Sequence, residues 1–228
     1  MGYWSLGLWM TMSGVLTLSY SAVGKAFPFK GVVSRNYRAV NTVKGVVLAV
    51  CSPASAALGI ASLLGTPYAG GDAWQTWLPV MAALYASTDL SAMIHNPSSA
   101  RTTQVHHTLV QLFYLYLEWI DYAPTLAARA IVLYAGVSAC EFIVNLRLAA
   151  RGMLRGPASV WLNRTALWVY IIGTYLNLSG QLWLLCLSMS QSFSVTYLMT
   201  LIAMIGVFVD DVALMQYMWQ WQPRAQDS

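Results

Sequence analysis

Charge is what this chain has least of. Twelve of its 228 residues are Lys or Arg and eight are Asp or Glu, 9% in all, where a soluble domain carries about 25%. So few charges cannot cover a globular surface in water. The 58% hydrophobic content and mean hydropathy of +0.57 point that surface at lipid instead. The same composition excludes disordered and collagen-like chains, and a net charge of +4 is too small to mark a nucleic-acid-binding protein. Cysteine is scarce as well. Cys51, Cys140 and Cys186 stand far apart inside apolar runs, with neither a CxxC metal spacing nor an even-numbered disulfide framework. Repeats, low-complexity tracts and inter-domain linkers are also missing, so a single domain is expected.

Long apolar runs are what the chain does have. Crossing the hydrocarbon core takes roughly 20 helical residues, whereas a membrane barrel needs alternating segments of about ten, and no such alternation occurs. Seven stretches qualify: 3–23, 40–64, 74–95, 105–121, 126–147, 161–187 and 194–218. The expected fold is all-α, a polytopic membrane protein of about seven transmembrane helices. Its parts are an anchor helix and basic loop (1–34), a main transmembrane domain (35–218) and a cytosolic tail (219–228). The first stretch lacks a basic leader and a strong cleavage site, so it reads as a retained anchor rather than a signal peptide.

Basic residues gather on the cytosolic side of membrane proteins. With these spans, Lys25, Lys30, Arg35, Arg38, Lys44, Arg101, Arg147, Arg151, Arg155, Arg164 and Arg224 fall on one side and only Arg129 on the other. The expected orientation is therefore an outside or lumenal N-terminus and a cytosolic C-terminus.

Polar residues inside the spans share helical faces. His107, Gln111, Tyr114 and Glu118 follow i, i+4, i+7, i+11 spacing, which keeps them within about 40° of one another. Tyr134, Ser138, Glu141 and Asn145 repeat that spacing, as do Tyr170, Thr174, Asn177 and Gln181, with Asn163 on the same face. Such stripes either glue helices together through hydrogen bonds or line a common cavity. Three in succession favour the cavity, with Tyr85, Asp89 and His95 of the third stretch on its wall. Asp210 and Asp211 point about 100° apart, one toward the cavity and the other toward a basic partner or water.

All three histidines fall in one short region: His95 ends the third stretch, and His106 and His107 open the fourth. Imidazole suits proton transfer near neutral pH, and a carboxylate such as Asp89 raises its basicity and fixes its tautomer. An imidazole also accepts acyl groups. A metal would need three or four ligands, for which His95, His106, His107 and Asp89 are at hand, but adjacent histidines rarely share one ion. No metal is expected.

In these residues the sequence resembles the TLC-domain family, which includes the ceramide synthases. The family places an Asp-bearing span before a short cytosolic turn and a His-His pair at the start of the next span. Here these are Tyr85–Leu90 with Asp89, the turn at His95–Pro97, and Val105-His106-His107-Thr108. Cys140–Arg147, ending Asn145-Leu146-Arg147, is similar to an Asn-x-Arg run in small family members. Arg35–Asn41 lies near the family's entry to its first core helix, with Lys44 about where a His is common. The likeness covers roughly residues 35–218. The chain departs from the ceramide synthases at Ala135–Glu141, where their further acidic residues are missing, and so it looks more similar to the small members.

The resemblance implies six of the helices forming a TLC-type bundle around a polar cavity. It also implies acyl-CoA-dependent transfer to a long-chain amine or alcohol, sphingolipid chemistry included, with His106 and His107 as base or acyl acceptor and Asp89 orienting one of them. Asn145 and Arg147 would hold an anionic group at the cytosolic mouth. Acyl-CoA would be a co-substrate rather than a bound cofactor, and the partner a membrane lipid in the endoplasmic reticulum or plasma membrane. A non-enzymatic lipid-binding regulator is the alternative; a transporter or receptor is the third reading.

Overall fold

The computed structural model describes residues 3–26, 32–65, 72–97, 99–151, 153–154, 156–189 and 194–220. Lys30, Arg155 and Arg224, counted toward the orientation, and the tail beyond residue 220 lie outside them. Among the described residues all regular structure is helical. The order is α1 (Tyr3–Ala26), α2 (Val32–Leu64), α3 (Asp72–His95), α4 (Arg101–Trp119), α5 (Leu126–Cys140), α6 (Phe142–Ala150), α7 (Gly156–Met189) and α8 (Val195–Gln220).

Each expected apolar stretch overlaps a helix, but three, those of α2, α4 and α7, start four or more residues earlier than expected, and one is interrupted. Helix α2 begins at Val32, so Arg35 and Arg38, expected in or beside a loop, lie on its first turns. Helix α7 extends beyond its apolar segment at both ends. The stretch 126–147 is divided: α5 stops at Cys140, α6 starts at Phe142, and the two are bent by 42°. Glu141 sits at the break, its N–H donating to the Ser138 carbonyl three residues back rather than four.

Four helices, α1, α2, α7 and α8, are long and apolar enough to cross a membrane, or five if α5 and α6 make one bent span. That is fewer than the seven expected. Helices α3 and α4 fall short because polar side chains dilute their apolar runs, and many of these are buried against neighbouring helices: Ser87, Thr88, Asp89 and Ser91 are each 0% exposed. The outward surface is apolar, with Leu18, Val50, Trp168, Ile172 and Val195 among its exposed side chains.

The most extensive helix pairing is α2 with α5, followed by α1 with α3 and α2 with α6. Small residues permit the first. A Cβ on Gly136 of α5 would come 2.6 Å from the Ser55 carbonyl oxygen and 2.9 Å from the Gly59 Cα. In lipid, where apolar burial drives little association, close backbone packing of this kind holds helices together. At the far end of the same pair Arg129 closes α2. Its Nε donates to the Ser62 carbonyl at 2.7 Å and Nη2 to that of Leu63 at 2.9 Å, satisfying acceptors that a helix end leaves open. The α4–α5 turn carries Asp121 and Tyr122 at φ of 52° and 55°, and Thr125 then caps α5 by accepting from the Ala128 N–H.

Gly136→Ala is expected to destabilise the bundle by about 1–3 kcal/mol through overpacking, lowering the thermal midpoint in detergent by roughly 2–12 °C. Gly7→Ala, where a Cβ meets nothing within 4 Å, is expected to leave the midpoint unchanged or raise it slightly. Thermal unfolding of both variants followed by circular dichroism makes the comparison.

Candidate functional site

A chamber of 840 Å³ opens where α2, α4, α5, α6 and α8 converge with the α3–α4 turn. Its wall includes Lys44, His106, His107, Tyr134, Glu141 and Asp210, so four helices and the α5–α6 break supply the groups that bear chemistry. This volume lies within the range of small-ligand sites, about 300–1,000 Å³.

Behind the wall lies Asp89, fully buried on α3. Lys44 of α2 forms an ion pair with its Oδ1, and the His107 Nδ1 of α4 faces the same oxygen at 3.2 Å. Three helices are thus joined at one carboxylate. Lys44 has its side chain 12% exposed, and a buried carboxylate in an apolar interior needs such a partner to remain charged. With Nδ1 turned to Asp89, the other nitrogen of His107 is left for the chamber, and no described residue takes it in a hydrogen bond.

His106 is held differently. Its Nδ1 faces Asp210 Oδ2 of α8 at 3.4 Å, and its Nε2 lies 3.2 Å from the Tyr134 hydroxyl of α5. Thr103 donates to the other oxygen of Asp210 at 3.1 Å. The two imidazoles meet edge-on with centroids 5.4 Å apart. Both Nδ1 atoms sit off hydrogen-bond alignment with their carboxylates.

Across the chamber stand two further acids. Asp211 accepts from the Tyr170 hydroxyl at 2.7 Å. Glu141, placed at the α5–α6 break, packs onto Gly173 of α7, where a Cβ would overlap its carboxylate. Near Tyr37, Arg151 lies with its guanidinium against the ring and hydroxyl of Tyr217.

Of the residues expected at the site, His106, His107, Ser138, Glu141, Asn145 and Tyr170 line the chamber and Asp89 backs it. The others lie elsewhere. His95 packs its ring against Tyr20 at the end of α3. Further along α4 the stripe turns to other helices: Gln111 donates to the Ala86 carbonyl of α3, and Tyr114 to the Ser5 carbonyl of α1. Glu118 accepts from Ser5 and Tyr122. On α7, Gln181 donates to the Ala130 carbonyl of α5 and to Asn177, and Thr174 Oγ1 is buried without a hydrogen-bond partner. Arg147 is turned to Asn163 at 2.6 Å and does not reach the chamber wall; Arg151, one turn on, does. On α4 and α7 these outer parts of the stripes join helices and the chamber takes only one end of each, while the stripe from Tyr134 to Asn145 lines it throughout.

Of the principal groups, Lys44 stands outside the expected site; Tyr134, from the stripe on α5, and both Asp210 and Asp211 lie on the chamber wall. A lysine within an apolar helix was the available signal, because it calls for a buried acid. Asp89, His106 and His107 each bring one potential ligand atom to within 4.8 Å of the others, the separation a metal site requires. Lys44 already neutralises Asp89, however, and both nitrogens of His106 face protein groups, so the arrangement is better suited to moving protons than to ligating an ion. No family model, curated protein or solved structure matches the chain.

Lys44→Met and Asp89→Asn are each expected to destabilise the fold by about 3–5 kcal/mol, the cost of breaking a buried ion pair from one side. The double variant is expected to lose clearly less than the sum. A double-mutant cycle of unfolding free energies in detergent measures this coupling.

Proposed function

We propose that this chain is a TLC-type integral membrane acyltransferase that moves a fatty acyl group from acyl-CoA to a long-chain amine or alcohol. The observation that carries the reading is the Lys44–Asp89–His107 arrangement against a chamber of ligand size within an apolar bundle. A buried carboxylate that fixes one nitrogen of an imidazole leaves the other as general base. His107 would take the proton of the acceptor's N–H or O–H as that atom bonds the acyl carbon. The C–S bond then breaks and the thiol departs.

Three further features support it. The exposed apolar helices give a hydrocarbon chain access from the bilayer. Arg151 on the chamber wall is placed to meet an anionic group of the donor, the role the sequence suggested for Arg147. The TLC-like order of Asp89, the turn at His95–Pro97 and His106-His107 is the pattern expected for such chemistry. In this reading all seven helical segments cross the bilayer, α5 with α6 counting as one. The polar faces of α3 and α4 turn inward, the His pair lies on the cytosolic side, and the membrane is that of the endoplasmic reticulum or the cell surface.

Purified protein in nanodiscs, given palmitoyl-CoA and sphinganine or a long-chain alcohol, is expected to form the amide or ester. His107→Ala is expected to lower the rate by about 10²–10⁴-fold, the usual worth of general base catalysis. Glu118→Gln, away from the chamber, is expected to retain activity. Product analysis by mass spectrometry decides it. Full activity in a folded His107→Ala protein overturns the assignment of the base. No product from the wild-type protein with either acceptor overturns the acyltransferase reading and leaves lipid binding in its place.

A further inference from the structure

The two histidines are adjacent in sequence but are not equivalent. His107 has one nitrogen on a carboxylate and no described residue hydrogen-bonded to the other. His106 has a protein group facing each nitrogen: the Tyr134 hydroxyl lies 3.2 Å from Nε2, and Asp210 Oδ2 lies 3.4 Å from Nδ1, close enough to pair but off hydrogen-bond alignment. An imidazole with a carboxylate on one side and a hydroxyl on the other is the geometry by which proteins activate a hydroxyl group, recognised by roles and distances rather than sequence order. The carboxylate is itself fixed by Thr103. Tyr134 is buried to 3% exposure, yet it borders the chamber beside His106, so its hydroxyl is within reach of both His106 and a ligand held there.

We propose that Tyr134 is a catalytic residue driven by His106 and Asp210, forming an acid relay that complements the base at His107. This rests on the acyl-transfer reading above and divides its proton chemistry. The acceptor's N–H or O–H proton passes to His107 as the new C–N or C–O bond forms. As the C–S bond breaks, the electron pair stays on sulfur, which takes a proton from the Tyr134 hydroxyl and leaves as the thiol. Nε2–H of His106 returns a proton to Tyr134, and the Asp210 carboxylate balances the imidazolium from which it comes. Each turnover therefore adds one proton at His107 and removes one at His106, and water at the mouth of the chamber restores both. Tyr134 touches the substrate; His106 and Asp210 act through it, Asp210 as a positioning residue.

The chain contains three histidines, so protein labelled with ¹⁵N-histidine shows three imidazoles by NMR. At one fixed neutral pH, Tyr134→Phe is expected to shift the Nε2 signal of His106 and Asp210→Asn its Nδ1 signal. His95, packed against Tyr20, is expected to stay in place. Asp210→Glu should restore the wild-type tautomer, which a merely structural loss would not do. With palmitoyl-CoA and sphinganine, Tyr134→Phe is expected to lower kcat by about 10²-fold or more with KM little changed. Asp210→Asn should lower it about tenfold, with recovery in Asp210→Glu. Unmoved His106 signals in both variants overturn the relay, as does wild-type kcat in Tyr134→Phe. If the wild-type protein forms no product, the acyl-transfer reading falls, and with it sulfur as the destination of the proton. The NMR comparison then decides the relay alone.

Discussion

The ion pair between Lys44 and Asp89 is the contact on which the rest of this bundle depends. Neither charge is tolerable alone in an apolar interior: a buried ion left without its partner costs several kcal/mol. The pair fixes α2 against α3, and by holding Asp89 charged it gives His107 of α4 a fixed carboxylate to face. One carboxylate thus sets the register of three helices at the chamber and the orientation of one imidazole within it. The close α2–α5 crossing at Gly59 and Gly136 continues the framework to the side that supplies Tyr134.

Helix-forming segments were legible in the sequence because an unbroken apolar run admits few other structures in lipid. Their limits were less so. The break at Glu141 has no proline or glycine to announce it; it arises where a carboxylate is packed against Gly173 of another helix, a contact between distant parts of the chain. The first turns of α2 read as loop in the sequence because Arg35 and Arg38 signal topology more strongly than structure. The lower apolar count of α3 and α4 reflects polar groups whose partners lie on other helices.

The candidate site was half legible. Asp89, His106 and His107 stood out as ionisable groups where lipid should admit none, and the structure brings them together. The stripes misled further along their helices. Gln111, Tyr114, Glu118 and Gln181 share a helical face with chamber residues, yet each meets a neighbouring helix instead. Helical spacing records which residues lie on one face but not where, along that face, a cavity ends. Lys44 was obscured for a related reason, since it acquires its meaning from Asp89 on another helix.

That the reactive groups come from five separate helices bears on how such a chain is made. Helices that enter a bilayer one after another do so before their partners are in place. In the seven-span reading proposed above, Lys44, Asp89, His106 and Asp210 would face hydrocarbon without the neighbours that make them tolerable until α2, α3, α4, α5 and α8 have closed together. In that reading the chamber that would do the chemistry also records whether the bundle has closed. A chain that has inserted but not packed displays stranded charges within the membrane, the kind of mark by which an unfinished membrane protein is distinguished from a finished one.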